Sequence, residues 1–155
     1  MTRPSKDELM MCMAIMCSTR STCKRLKVGA LITDERYEQV SIGWNGGYIS
    51  GPNDCLRPEA GRCGCIHAEI NALIKCKFQP HIMFLTDSPC EQCAAAIVNT
   101  HVREVVYARE YRVTEGIELL EKAGILIEGV GPELLDKMIE KFEVHIDMPP
   151  YSWKL

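Results

Sequence analysis

Two short stretches constrain this chain more than anything else in it: His67-Ala68-Glu69 and Pro89-Cys90-Glu91-Gln92-Cys93. Together they supply one imidazole, two thiols and one carboxylate. Cysteines three residues apart at a helix start can aim both sulfurs at one point, and His67 adds a third ligand to Cys90 and Cys93. Three protein ligands leave the fourth tetrahedral position of a zinc ion open to water, whereas structural zinc sites are closed by four. Glu69, two residues past His67, can reach that water without ligating the metal. Both stretches are expected to open helices, where unpaired N–H groups and the helix dipole favour thiolates.

A C-x-x-C pair alone also suits a structural zinc knuckle. H-x-E ahead of P-C-x-x-C is more specific, and it resembles the signature of zinc nucleobase deaminases. In such a site the metal generates a nucleophile from water near neutral pH. Glu69 is then expected to carry protons to the ring nitrogen and to the leaving ammonia.

Composition narrows the setting. With 155 residues, one domain over 1–155 with a sizeable core is expected. Apolar residues make up 46% and charged residues 25%, which is ordinary for a globular protein. The net charge of −3 offers no global basic field to gather nucleic acid, so no nucleic-acid partner is expected. Nine cysteines without a recognisable signal peptide favour metal-bound and free thiols in a reducing, cytoplasmic setting over a disulfide framework. The apolar run from Leu9 to Cys17 is too short to cross a bilayer, so no membrane association is expected.

Along the chain, Ser5-Lys6-Asp7-Glu8 reads as a capping box opening a helix that ends near Ser18. That helix is apolar nearly all round, so the sheet and another subunit are expected to cover it. Strands are expected at 28–33 and 39–44, joined as a hairpin by the turn at 34–36. Residues 48–66 show no periodicity and read as a long functional loop. A helix from His67 to about Cys76 should turn Ile70, Leu73 and Ile74 inward. A buried strand at 82–86 precedes a helix from near Cys90 that carries Ala94, Ile97 and Val98 inward. A strand at 104–108, a helix at 114–123, a strand at 125–127 and a helix at 132–142 complete the pattern, with Pro149-Pro150-Tyr151 as an exposed tail. The last three strands alternate with helices and should be parallel, and the opening hairpin makes the five-stranded sheet mixed. Ligands in such sheets bind beyond the carboxyl ends of parallel strands, where Cys90 and Cys93 fall.

Beyond the zinc motifs, the chain resembles the deoxycytidylate (dCMP) deaminases. The matching segments are Arg20-Ser21-Thr22-Cys23 with Val28-Gly29-Ala30, Gly43-Trp44-Asn45-Gly46, His67 to Ala72, Ser88-Pro89-Cys90 with Cys93-Ala94, and Val105-Val106-Tyr107. They fall between residues 10 and 127, about three-quarters of the chain. The resemblance implies a three-layer α/β/α cytidine-deaminase-like fold and hydrolysis of dCMP to dUMP and ammonia, the supply route to thymidylate. It implies a homo-oligomer, with a hexamer as one form, and dCTP and dTTP as effectors. Carried over by position, Asn45 bonds the deoxyribose, the Ala68 backbone and Glu69 read the base edge, and the Ser88 carbonyl meets the amino group. Tyr111 is expected to line the pocket. Arg20 and Ser21 are expected at the phosphate, from the basic cluster of Arg20, Lys24, Arg25 and Lys27. Where the family carries a proline, three residues after the asparagine, this chain has Tyr48. Some relatives carry a second, structural zinc, which here implies Cys23, Cys55, Cys63 and Cys65 as ligands; free thiols or a Cys55–Cys63 disulfide are the alternative. The competing readings are a deaminase of cytidine, dCTP or tRNA adenosine, minor guanine and riboflavin-pathway options, and a non-catalytic zinc-stabilised binding module.

Overall fold

The first helix starts where the capping box places it. The Ser5 hydroxyl accepts from the Glu8 N–H at 3.0 Å, and the Ser5 N–H donates to the Glu8 carboxylate at 2.7 Å. In the computed structural model, which describes residues 3–52, 54–55 and 63–141, helix α1 spans Lys6–Ser18. Strands β1 (Gly29–Thr33) and β2 (Val40–Trp44) follow, then α2 (Ala68–Lys75), β3 (Ile82–Asp87), α3 (Glu91–Val98) and β4 (Glu104–Arg109). Helix α4 (Glu115–Lys122), β5 (Leu126–Gly129) and α5 (Pro132–Lys141) close the described order. Phe142 and the tail at 149–151 lie outside the described residues.

The five strands form one mixed sheet in the order β2-β1-β3-β4-β5. β1 runs antiparallel to both β2 and β3, while β3, β4 and β5 are parallel to one another. Side chains alternate across the sheet with period two, and this sorts the core into two layers. Ala30, Ile32, Met83, Leu85 and Val105 pack with Ala68, Ala72, Ala94, Ile97 and Leu120 from α2, α3 and α4. Leu31, Ile82, Phe84 and Val106 pack on the other side with Met10, Met11, Ala14 and Ile15 of α1. Helices on both faces make the three-layer α/β/α arrangement. No helix among the described residues is long and apolar enough to cross a membrane.

One expectation about helix faces is corrected. Ile74 is 73% exposed rather than inward. The residues α2 buries are Ala68, Glu69 and Ala72, and at about 100° per residue Ile74 lies on the far side of the helix from Ala72. Helix α1 is covered by the sheet as expected, and the side it turns away from the sheet carries Leu9 and Met16, 45% and 55% exposed in the single chain.

Small residues set how closely α2 approaches the sheet. A Cβ at Gly43 would lie 2.1 Å from the Ala68 carbonyl oxygen and 2.6 Å from the Ala72 nitrogen. The helix backbone therefore rests on the strand backbone at that point. The Ser41 hydroxyl adds a bond to the Ala72 carbonyl at 2.8 Å, and Asn71 donates to the Trp44 carbonyl at 2.8 Å. Gly43→Ala must push α2 outward. It should cost about 1–3 kcal/mol or more of unfolding free energy by urea titration, since neither contacting atom is a side chain that can swing away. An unchanged midpoint would show that the close approach is dispensable.

Candidate metal centre

Helices α2 and α3 each begin with a side chain that does not cap them. His67 is the N-cap of α2 and Cys90 the N-cap of α3, and neither makes a side-chain cap bond. Both side chains point instead to a shared place. His67 Nδ1 lies 3.5 Å from Cys90 Sγ and 3.3 Å from Cys93 Sγ. Ligands on one tetrahedral zinc, with Zn–S near 2.3 Å and Zn–N near 2.0–2.1 Å, stand about 3.5 Å apart. The donor types and their separations both fit zinc. Cys93 is buried, Cys90 half-buried and His67 exposed at the rim.

The electrostatics split the donor set: Cys90 is poised as a thiolate, while His67 and Cys93 hold protons that a metal must displace. The Cys90 thiol is held at about 4, first by a hydrogen bond from Cys93 and, against burial, by His67. His67 is raised to about 8, chiefly by its bond to Cys90. Cys93 is raised, by its hydrogen bond to Cys90 and then by burial. Glu69 is 4% exposed, and burial pushes its carboxyl up to about 7. It also shares a hydrogen bond with Cys93, so the carboxyl faces the donor set.

A second group gathers Cys23, Cys55, Cys63 and Cys65, whose sulfurs all lie within 4.8 Å of one another. Four thiols can close a tetrahedron, which is the arrangement of a structural zinc site. Cys63 and Cys65 share protons unequally. Burial opposes ionisation of Cys63, but hydrogen bonds from Cys65 lower it overall, while burial and the bond to Cys63 raise Cys65. Lys24 reaches across to Asp54 at 2.7 Å, tying the same two regions outside the cluster.

The remaining residues singled out from the sequence fall in three places. Asn45 is buried, and its Oδ1 accepts from the Ser21 hydroxyl at 2.6 Å and from the Val28 N–H at 2.8 Å. Its Nδ2 donates to the Leu26 carbonyl at 2.7 Å. Ser21 also accepts from the Cys23 N–H at 3.1 Å, so the sulfur cluster, Ser21 and Asn45 form one connected unit. Ala68 is fully buried in the first turn of α2. Ser88 is buried, and its hydroxyl accepts from the Tyr111 N–H at 2.7 Å. Arg20 is exposed, with its guanidinium 5.3 Å from the centre of the Trp44 ring.

Sequence reasoning overlooked three features near these residues. Trp44 also holds Lys75 Nζ 4.5 Å from its ring centre, so two cations flank one indole. Asp87 and Arg109 form a largely buried ion pair at 2.6 Å. Gly116 lies against the backbone of Pro89. The only sequence signal for the pair was a charge at the end of each of two apolar strands.

Comparison with known proteins bears on all of this. Residues 4–109 match the model of the cytidine and deoxycytidylate deaminase zinc-binding region. The chain is 34% identical over 149 residues to ComE operon protein 2 of Bacillus subtilis, covering 90% of this chain and 77% of that one. It is 32% identical over 140 residues to the deoxycytidylate deaminase of Saccharomyces cerevisiae, covering 81% of this chain and 45% of the yeast protein. The crystal structure of the dCMP deaminase of cyanophage S-TIM5, in complex with dCMP and dUMP, superposes with a TM-score of 0.72. Identity there is 32%, over 84% of this chain and all of that one.

Two outcomes follow from the donor geometry. Elemental analysis should find about two zinc ions per chain, falling to about one in Cys63→Ser/Cys65→Ser with the His67 centre still loaded. One zinc in the wild type, with all four cluster thiols alkylated under native conditions, would contradict the second site. Zinc uptake by the His67 centre at pH 7 must also expel about two protons, from His67 and Cys93, because Cys90 is already a thiolate. Affinity should therefore rise with pH up to about 8, where His67 becomes neutral, and level off with respect to that group above it. Indicator-dye titration would contradict this if it found no proton release.

Proposed function

Because the chain belongs to the family of zinc-dependent cytidine and deoxycytidylate deaminases, we propose that it hydrolyses dCMP to dUMP and ammonia. The observation that carries this reading is the buried Glu69 carboxyl facing the His67, Cys90 and Cys93 donors, in a chain similar over 84% of its length to a deaminase crystallised with dCMP and dUMP. His67, Cys90 and Cys93 would hold the zinc. When bound, zinc acts as a Lewis acid that yields a nucleophile from water near neutral pH.

The chain's own residues handle the protons and the orientation. Glu69 sits close to neutrality, where a carboxyl can both take up a proton and give it back. It takes one proton from the attacking water and delivers it to the ring nitrogen, then takes the second from the hydroxyl so added and delivers it to the departing amine. Its burial also excludes bulk water from competing for those protons. The Ala68 backbone and the Ser88 carbonyl orient the base. Ser88 is fixed for this by its N–H bond to the Arg109 carbonyl at 2.8 Å and by the Tyr111 N–H, which donates to its hydroxyl at 2.7 Å, and the Tyr111 ring would line the substrate pocket. Asn45 has one amide hydrogen beyond its bond to Leu26 with which to meet the deoxyribose, and Ser21 and Val28 hold that amide in one orientation.

Arg20, with Ser21 behind it, is the candidate phosphate contact. Stacking on Trp44 limits the freedom that the guanidinium would lose on binding. The four-cysteine cluster holds a structural zinc that braces the Ser21–Asn45 unit. The protein works in the cytoplasm as a homo-oligomer, with a hexamer as one form and dCTP and dTTP as effectors.

Ammonia release from dCMP, dCTP, deoxycytidine and cytidine, measured side by side, tests the substrate. Saturable turnover should favour dCMP over deoxycytidine, and no advantage for the nucleotide would overturn the assignment. Glu69→Gln should keep its zinc while losing at least the roughly 10²–10⁴-fold that general acid–base help commonly supplies. Wild-type turnover in the zinc-loaded variant would refute the role of Glu69.

A further inference from the structure

The stretch between β3 and α3 is tied, residue by residue, to the stretch between β4 and α4. Asp87 ends β3 and Arg109 ends β4, and the parallel register sets them side by side. Arg109 donates through Nε at 2.6 Å and lies 2.6 Å away through Nη2, both at Asp87 Oδ1. The other carboxylate oxygen accepts from the Thr86 hydroxyl at 2.9 Å, and that hydroxyl accepts in turn from the Gly29 N–H at 3.1 Å. Asp87 is 3% exposed. The next residue, Ser88, donates its N–H to the Arg109 carbonyl at 2.8 Å and accepts from the Tyr111 N–H at 2.7 Å. The one after it, Pro89, is backed by α4. A Cβ at Gly116 would lie 2.0 Å from the Pro89 carbonyl oxygen and 2.9 Å from the Cys90 carbonyl carbon. Three consecutive residues are thus held in place immediately before Cys90.

This arrangement is more than the fold requires. A buried ion pair is a weak source of stability, because desolvation offsets most of the Coulomb gain, and its best-attested use is to fix register. By contrast, the ion pairs Lys24–Asp54 and Lys122–Glu118 leave over half of each side chain exposed. The largely buried Asp87–Arg109 pair stands at the root of the loop that delivers Cys90.

We infer that Asp87, Arg109 and Gly116 are positioning residues for the metal centre. They hold the Asp87–Pro89 segment against the β4–α4 connection, and so fix where Cys90 Sγ and the Ser88 carbonyl stand relative to His67. The inference rests on the reading above, in which Cys90 ligates zinc and Ser88 faces the base. Outer supports of metal ligands commonly contribute about 10–100-fold to metal affinity. A misplacement of about 1 Å at a reacting group can cost about 10²-fold in rate.

The test uses the full-length zinc-loaded protein and Asp87→Asn, Arg109→Lys and Gly116→Ala. Arg109→Lys keeps the charge but loses the two-pronged grip. Gly116→Ala leaves the ion pair intact and displaces Pro89 from the other side. For each, zinc affinity of the two centres is measured by chelator competition, with zinc retained by the four-cysteine cluster as the folding control. kcat and KM for dCMP are measured in parallel. The expected result is zinc held about 10–100-fold more weakly at the His67 centre, an undisturbed four-cysteine centre, and kcat falling further than KM changes. A lowered melting temperature with unchanged zinc affinity and unchanged kcat in the folded variants would make these residues merely structural and overturn the inference. If Asp87→Asn does not fold, Arg109→Lys and Gly116→Ala decide between the same two results. A wild type that turns over no dCMP would remove the substrate reading, and the zinc affinities would still decide the positioning role.

Discussion

Two helices that start at one place are the constraint on which the rest of this structure depends. An N-cap side chain ordinarily bonds the first free N–H groups of its own helix. At α2 and α3 the N-caps are His67 and Cys90, and neither does so. Their donor atoms are released toward each other, and the two helix starts converge within the 3.3–3.5 Å spacing that one small cation requires. Everything near them serves that convergence. Gly43 lets α2 sit on β2, Asn71 holds it to the Trp44 carbonyl, and β3 brings Cys90 up from the centre of the sheet.

What could be seen in advance was whatever is local in sequence. Ser5 and Glu8 are three residues apart, and their capping box is present. The alternation of apolar residues marked the strands, and strand–helix alternation marked β3, β4 and β5 as parallel. Cys90 and Cys93 lie a turn apart on one helix, so their shared aim needed no tertiary knowledge. His67 could be added from its motif, whereas Cys23, Cys55, Cys63 and Cys65 were legible as a set only through a pattern met in relatives, because their meeting depends on how loops return across the sheet.

What could not be seen depends on register or on packing distance. Asp87 and Arg109 are 22 residues apart and meet only because β3 and β4 pair in parallel with those two residues opposed. The exposure of Ile74 follows from α2 turning Ala68, Glu69 and Ala72 inward, which leaves Ile74 on the opposite side of the helix. Arg20 was legible as a charge, but its stacking on Trp44 needed the end of β2 to be placed beside the end of α1. In each case the residue type was visible and the neighbour was not.

The position of β3 in the sheet has a consequence for how the molecule opens. β3 is the middle strand, and all six of its residues are buried. β5 is an edge strand with three of its four residues exposed. Amide exchange through local opening spans a range from near zero at frayed edges to the full unfolding free energy in central strands. Fraying should therefore begin at the β5 edge, while the loop bearing Cys90 grows from the strand that opens last. The centre can keep its donors assembled through most of the breathing that the native fold undergoes, so a captured ion would be kinetically trapped as well as tightly held.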